Sequence, residues 1–180
     1  MSEKIEKIVL GGGCFWCLDP IFSQLNGVSK VVVGYAGGKV ASPSYEQICT
    51  GKTGHAEVIE ITFEPDQLSL NNLLDIFFQF HDPTTLNRQG ADVGTQYRSI
   101  VLASDEDQLE TVQKFVDELD KSKIWSNPIV THVELLTEFF PAEEYHQNYF
   151  EKNPWAGYCQ VVINPKVKKF KEKFSAQMKK

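Results

Sequence analysis

Between His55 and Glu64 the chain alternates with period two: Ile59, Ile61 and Phe63 share one face, while Glu60, Thr62 and Glu64 share the other. This is the pattern of a strand with one face in a core and the other wetter. Apolar, β-branched stretches predict further strands at Ile8-Val9-Leu10, Val28 to Tyr35, Gln96 to Leu102 and Ile129 to Leu136, with a short apolar Val161-Val162-Ile163 near the end. Elsewhere the spacing becomes helical. One helix starts at about Phe15, carries Trp16, Ile21, Phe22 and Leu25, and stops at Gly27. Ser69 is the expected N-cap of a helix bearing Leu70, Leu73, Leu74, Phe77 and Phe80. Ser104 is expected to cap another, striped by Leu109, Val112, Phe115, Val116 and Leu119, with Asp105, Glu106 and Asp107 in the dipole-favoured first turn. A short helical turn is expected at Tyr45 to Cys49, and Pro141 suits the first turn of a helix. Irregular chain is expected from about residue 151, before Pro165 opens a lysine-rich helix with Val167, Phe170 and Phe174 on one side.

Strands separated by helices imply one sheet with helices packed on it, an α+β layered domain whose strand order the pattern does not reveal. The 180 residues suit a single domain, 1–180, with one core. A net charge of -6 argues against nucleic acid as a partner, because phosphate binding needs a basic field. No run approaches the roughly 18 apolar residues of a membrane span, and Met1-Ser2-Glu3-Lys4 lacks the plan of a signal peptide. The expected compartment is therefore the cytoplasm. There Cys14, Cys17, Cys49 and Cys159 read as catalytic, metal-binding or core residues rather than disulfide staples. Cys49 carries no motif, and a small buried hydrophobe is its plain alternative.

Cys14 follows a predicted strand and three glycines at the start of a predicted helix. Unpaired N–H groups there favour the thiolate, the reactive form of a thiol whose pKa is about 8.5 when free. Cys14 and Cys17 form a C-x-x-C pair. Zinc needs about four ligands, and Cys49, Cys159, His55, His81, His132 and His146 are scattered without metal spacing, so no metal is expected. A thioredoxin-like disulfide oxidoreductase using Cys14 and Cys17 is the main competing reading. Phe15 and Trp16 are either core or the wall of an apolar pocket for a small methyl-bearing group.

The longer pattern decides between these. Gly13-Cys14-Phe15-Trp16 resembles the signature of the A-type peptide methionine sulfoxide reductases. The likeness continues through Gly34-Tyr35-Ala36-Gly37-Gly38, Pro43-Ser44-Tyr45, Thr53-Gly54-His55-Ala56-Glu57 and His81-Asp82-Pro83-Thr84. It then runs through Gly94-Thr95-Gln96-Tyr97-Arg98-Ser99 and Ala142-Glu143-Glu144-Tyr145-His146-Gln147 to Gly157-Tyr158-Cys159. The segments come in family order and span the chain from about Ile8 to Pro165.

The resemblance implies a two-layer sandwich with a ferredoxin-like core and reduction of the S epimer of methionine sulfoxide, free or in oxidised proteins. It implies no metal or organic cofactor, with thioredoxin, or dithiothreitol in its place, as external reductant. The expected molecule is a monomer. Cys14 would attack the sulfoxide sulfur, leaving methionine and a sulfenic acid that a second thiol condenses to a disulfide. Glu57 matches the family's acid, and its parity puts it on the core face with Ile59, Ile61 and Phe63, where burial keeps a carboxyl protonated. Tyr45 and Tyr97 match phenols that hydrogen-bond the sulfoxide oxygen, Asp92 an aspartate of the same polar pocket, and Phe15 and Trp16 the methyl pocket. The chain departs from many members in having Cys17 where they have glycine. It also ends in Lys166 to Lys180 without the extra carboxy-terminal cysteine. Cys159, expected in a flexible loop, is the preferred resolving thiol, with Cys17 the alternative. His55 receives no role, and His146 reads equally as a binding-surface or packing residue.

Overall fold

The computed structural model describes residues 4–179. Strand β1 (Glu6–Gly11) leads through a glycine turn into helix α1 (Phe15–Phe22), and β2 (Val28–Ala36) follows. A short α2 (Tyr45–Cys49) precedes β3 (Ala56–Phe63) and α3 (Leu70–Gln79). Two-residue strands β4 (Arg88–Gln89) and β5 (Asp92–Val93) pair only with each other. Then come β6 (Ile100–Ala103), α4 (Glu106–Lys121), β7 (His132–Leu135) and β8 (Phe139–Pro141). The last elements are α5 (Tyr149–Lys152), a π-helical turn (Cys159–Ile163) and α6 (Asn164–Lys173).

The main sheet runs β7-β6-β1-β3-β2-β8. Its pairings are antiparallel except β6 with β7, so the sheet is mixed. The alternation of β3 works as expected on its helix-covered side: Ile59, Ile61 and Phe63 join Ile8, Leu10, Val33 and Val101 in the principal core. The reverse side is drier than alternation alone implies. Val9, Ala36, Ala56, Val58, Ile100 and Leu102 form a second cluster there, covered by Leu136 and Phe139 from the β7–β8 segment. Among the described residues no helix is long and apolar enough to cross a membrane.

Caps and amphipathic stripes hold where local chemistry decides. Ser69 accepts a hydrogen bond from Asn72 N–H at 3.1 Å, and on α4 Val112 is fully buried with Leu109, Phe115, Val116 and Leu119 half-buried around it. Tertiary contacts changed the other expectations. Helix α1 ends at Phe22 rather than near Gly27; Pro20 within it removes one backbone donor, and Leu25 is buried beyond its end. The N-cap of α4 is Asp105, which accepts from Gln108 N–H at 2.8 Å, while the Ser104 hydroxyl instead donates to the Lys7 carbonyl. The strand expected from Gln96 begins only at Ile100, because Thr95–Tyr97 form a 3-10 turn pinned by the Arg98 guanidinium on the Thr95 and Gly54 carbonyls. Pro141 ends edge strand β8 opposite Gly34 and starts no helix; an edge strand tolerates its missing donor. The apolar run Val161 to Ile163 lies in the π-helical turn and is not a strand.

Candidate active site

The glycine turn after β1 is shaped by packing. A Cβ on Gly12 would stand 2.9 Å from the His81 ring, and Gly13 takes φ +94°, in the left-handed region. Burial holds the His81 pKa down to about 4, so the neutral ring donates from Nδ1 to the Phe77 carbonyl and accepts the Ser99 hydroxyl at Nε2, both at 2.7 Å. Against this rigid backing Cys14 becomes the N-cap of α1, with extended backbone and no side-chain cap bond. Cys17 N–H donates to the Cys14 carbonyl at 3.0 Å, which tightens the first turn, and both cysteines border one cavity. Cys14 is partly exposed; Cys17 is buried.

Glu57 reaches this turn from β3. It is 2% exposed, and its Oε1 accepts the Phe15 N–H at 3.3 Å, one residue from Cys14. Burial pushes the carboxyl up to about 8, with the charges of Asp92 and Cys17 adding to the rise and the Phe15 bond opposing it. At neutral pH the group is a proton donor.

The thiols differ from the helix-start expectation. Burial pushes Cys14 well above the ordinary thiol value, its hydrogen bond to Cys17 and the Glu57 charge add to this, and the Trp16 N–H pulls only weakly the other way. Cys17 is brought down to about 7, chiefly by the hydrogen bond from Cys14, with the Lys166 charge and Tyr158 helping. The helix-start effect is thus outweighed by burial at Cys14.

Tyr45 sits at the start of α2, where Ser44 and Gln47 form a capping box and the Tyr45 N–H donates to Glu143 Oε2 at 3.0 Å. Burial raises both Tyr45 and Tyr97, and the charge of Glu57 adds to each, so both phenols keep their protons. Asp92 and Cys14 also act on Tyr97. Glu57 thus lies within electrostatic reach of Cys14, Tyr45 and Tyr97, and Asp92 within reach of Glu57 and Tyr97. Cys49 is exposed rather than buried.

Phe15 is fully buried beneath the turn, whereas Trp16 is partly exposed. Trp16 stacks on Tyr149 with ring centroids 3.8 Å apart and planes 7° from parallel. Its indole N–H donates to His146 Nδ1 at 3.1 Å. His146 is fully buried, with Nε2 left without a partner among the described residues. His55 is a staple: Nδ1 accepts Gly38 N–H at 3.0 Å and Nε2 pairs with the Val40 carbonyl at 2.6 Å. Cys159, expected in a flexible loop, is fully buried in the π-helical turn and packs in one cluster with Cys17, Ile163 and Val167, which Cys14 and Trp16 border. Among the described residues no group of three His, Cys, Asp or Glu side chains could hold a metal ion.

A thiol pair beside a buried acid and two phenols is chemistry for reducing a polar oxygen-bearing centre, and comparison names the family. A family model described as peptide methionine sulfoxide reductase matches residues 6–179. The chain belongs to that family. It is an oxidoreductase. A protein of Nautilia profundicola named peptide methionine sulfoxide reductase MsrA is 58% identical over 166 residues, covering 92% of this chain and 94% of that one. The reduced form of Mxr1 from Saccharomyces cerevisiae is similar at TM-score 0.81 and 39% identity, over 87% of this chain and 90% of that one. Mxr1 in complex with Trx2 is similar at TM-score 0.59 and 29% identity, over 83% and 87%.

Four residues of the site escaped sequence reading. Tyr149 backs Trp16, and Glu143 joins the Tyr45 N–H to the Tyr35 hydroxyl. Tyr158 contacts Cys17 and Asp92, and Lys166 lies by Cys17. Tyr158 and Glu143 stand inside motif segments, but only their neighbours drew attention. Tyr149 and Lys166 had no local signal.

Proposed function

We propose that this chain reduces the S epimer of methionine sulfoxide, free or within proteins, using Cys14 as nucleophile and thioredoxin as reductant. The observation that carries the reading is Glu57: a buried carboxyl, protonated near neutral pH, tied to the backbone beside the thiol. A sulfoxide oxygen leaves sulfur only if protonated as the S–O bond weakens, and disulfide exchange needs no such acid. Cys14 attacks the sulfoxide sulfur while Glu57 protonates the oxygen, and the Cys14 thiol proton restores Glu57. Tyr45 and Tyr97 donate to the same oxygen, with Asp92 ordering the polar side of the pocket. Trp16, over the buried Phe15, receives the methyl group. The protonated oxygen leaves as water while a Cys14 S–S bond to the substrate forms. Water then attacks the Cys14 sulfur, that bond breaks with its electron pair going to methionine, Glu57 takes back the proton, and Cys14 is left as a sulfenic acid.

Cys17 then condenses with the sulfenic acid first, because it stands in the first turn of α1 next to Cys14 and borders the same cavity. Cys159, packed against Cys17, takes over the bridge. Thioredoxin reopens it without a bound cofactor, a step supported by the similarity to Mxr1 complexed with Trx2 and suited to the reducing cytoplasm.

The test is incubation with dithiothreitol and racemic methionine sulfoxide. Methionine should accumulate and stop near half conversion with the R epimer left over, and Cys14→Ser should form none. Absence of methionine would favour the competing disulfide exchanger.

A further inference from the structure

The first half-reaction has its acid in Glu57, but the second needs a way to take a proton from the resolving thiol. Tyr158 touches both ends of such a path. Its hydroxyl donates to Asp92 Oδ2 at 3.2 Å, and its oxygen lies 3.7 Å from Cys17 Sγ, within reach for a sulfur hydrogen bond. Either atom can donate in the Cys17 contact: with its proton on Asp92, Tyr158 accepts the Cys17 S–H, and with its proton turned to Cys17 it holds the thiolate. The Tyr158 ring is held edge-on to Trp16 at 6.1 Å and 72°. A cavity of about 290 Å³ opens at the same place, bordered by Cys14, Cys17, Asp92, Tyr158, Val162 and Lys166, and it has room for a released water. Asp92 is partly exposed, so a proton delivered there can pass to solvent.

We infer that Tyr158 is a positioning residue for disulfide formation: it orients the Cys17 thiol toward Cys14 and relays the thiol proton to Asp92. The inference rests on the reading of Cys17 as the first resolving thiol. In the step, a sulfur lone pair of Cys17 forms the S–S bond as the S–O bond of the Cys14 sulfenic acid breaks. The Cys17 proton moves to the Tyr158 oxygen while the Tyr158 proton moves to Asp92. The departing hydroxide takes a proton from Glu57 and leaves as water, and Asp92 and Glu57 then exchange protons with solvent. Cys14 sulfur is reduced by one unit and Cys17 sulfur oxidised by one, so no outside oxidant is needed. Five other groups set the charge around Cys17: Cys14 on its own helix, Glu57 on β3, Asp92 on β5, Cys159 in the π-helical turn and Lys166 on α6.

The experiment is a single turnover of Tyr158→Phe in the full chain. One equivalent of methionine sulfoxide is added without reductant, and methionine and free thiols are counted after acid quench from pH 6 to 9. Thiol loss should slow by about tenfold or more near pH 6 to 7, the lower end of what a lost proton relay costs, and by several times more than methionine release does. The defect should shrink toward pH 9, where solvent ionises the thiol unaided. Thiol loss at the wild-type rate, with Cys14 and Cys17 bridged, would overturn the role of Tyr158 and leave Cys17 as resolver. Equal slowing of both phases at every pH, or an unfolded variant, would make Tyr158 merely structural. A wild-type enzyme whose first bridge joins Cys14 to Cys159 would instead overturn the reading beneath it. A wild-type thiol-loss rate that tracks the ionised fraction of a free thiol across this pH range would likewise exclude a relay.

Discussion

At the scale of single residues, Glu57 shows how much the site gives up in stability for its chemistry. Its folded pKa, about 8, lies above the value near 4.3 of an unfolded glutamate. The folded state therefore binds the proton more tightly, and the contribution to stability is fully present below about pH 4 and lost as pH rises through about 8. Glu57→Gln keeps an acceptor for the Phe15 N–H without any charge to bury. The variant should melt at a higher temperature than wild type at pH 8, the gap narrowing toward pH 5, while methionine release in a single turnover falls by roughly 10²-fold or more. Calorimetry at two pH values and a quenched-flow assay check the two halves separately. A wild-type release rate for Glu57→Gln would assign the proton to Tyr45 or Tyr97. The position of Glu57 was legible from strand parity, since Ile59 and Phe63 declare the core face and period two does the rest. The thiol pKa values were not, because helix-start reasoning counts N–H groups on one element, whereas burial and the Cys17 contact come from packing.

At the scale of elements, residues 143 to 149 work as a clamp. Glu143 accepts from the Tyr35 hydroxyl on β2 and the Tyr45 N–H on α2, His146 and Tyr149 hold Trp16 on α1, and Asn148 N–H donates to Asp19 of the same helix at 3.1 Å. Gln147 secures the clamp to the sheet. Its Oε1 accepts Val33 N–H at 3.0 Å, and its Nε2 donates to the Val33 and Ala142 carbonyls at 2.9 and 3.1 Å. Gln147→Ala strands the Val33 N–H, so it should cost about 1 to 3 kcal/mol in denaturant unfolding. KM for methionine sulfoxide should rise as Trp16 loosens. Gln147→Glu keeps the acceptor but places a carboxylate against two carbonyls, and it should be no more stable than Gln147→Ala. Sequence gave little warning of this clamp: Ala142 to Gln147 could be matched to a family but not placed. Most of its bonds span 98 to 130 positions, whereas the Ser69 cap and the α4 stripe are settled within a few.

For the whole molecule, the sheet order belongs to the same long-range class, and so does the line of sulfurs it creates. Cys14 is partly exposed, Cys17 lies behind it, and Cys159 behind that is wholly buried. An oxidising equivalent that arrives at the surface would thus pass inward before thioredoxin removes it. A bridge from Cys17 to Cys159 would be shielded by Val162 and Tyr158, while the exposed Trp155 and Val161 flank the same segment. Its reduction by thioredoxin would then require the stretch around Cys159 to open. Cys159→Ala is the cleaner probe than serine, whose hydroxyl would be buried without a partner in an apolar cluster. Methionine release in one turnover should be unchanged, and turnover with dithiothreitol, a small reductant able to reach the Cys14–Cys17 bridge, should persist. Turnover with thioredoxin should fall several-fold. Mass mapping after one turnover should find Cys14 bridged to Cys17 in the variant and Cys17 bridged to Cys159 in wild type. Amide exchange in residues 153 to 163 should quicken when the wild-type protein is oxidised, because a bridge formed in the helical turn strains the packing that closes it. Thioredoxin turnover at the wild-type rate in Cys159→Ala would mean that the chain of thiols ends at Cys17, and that Cys159 is a core residue.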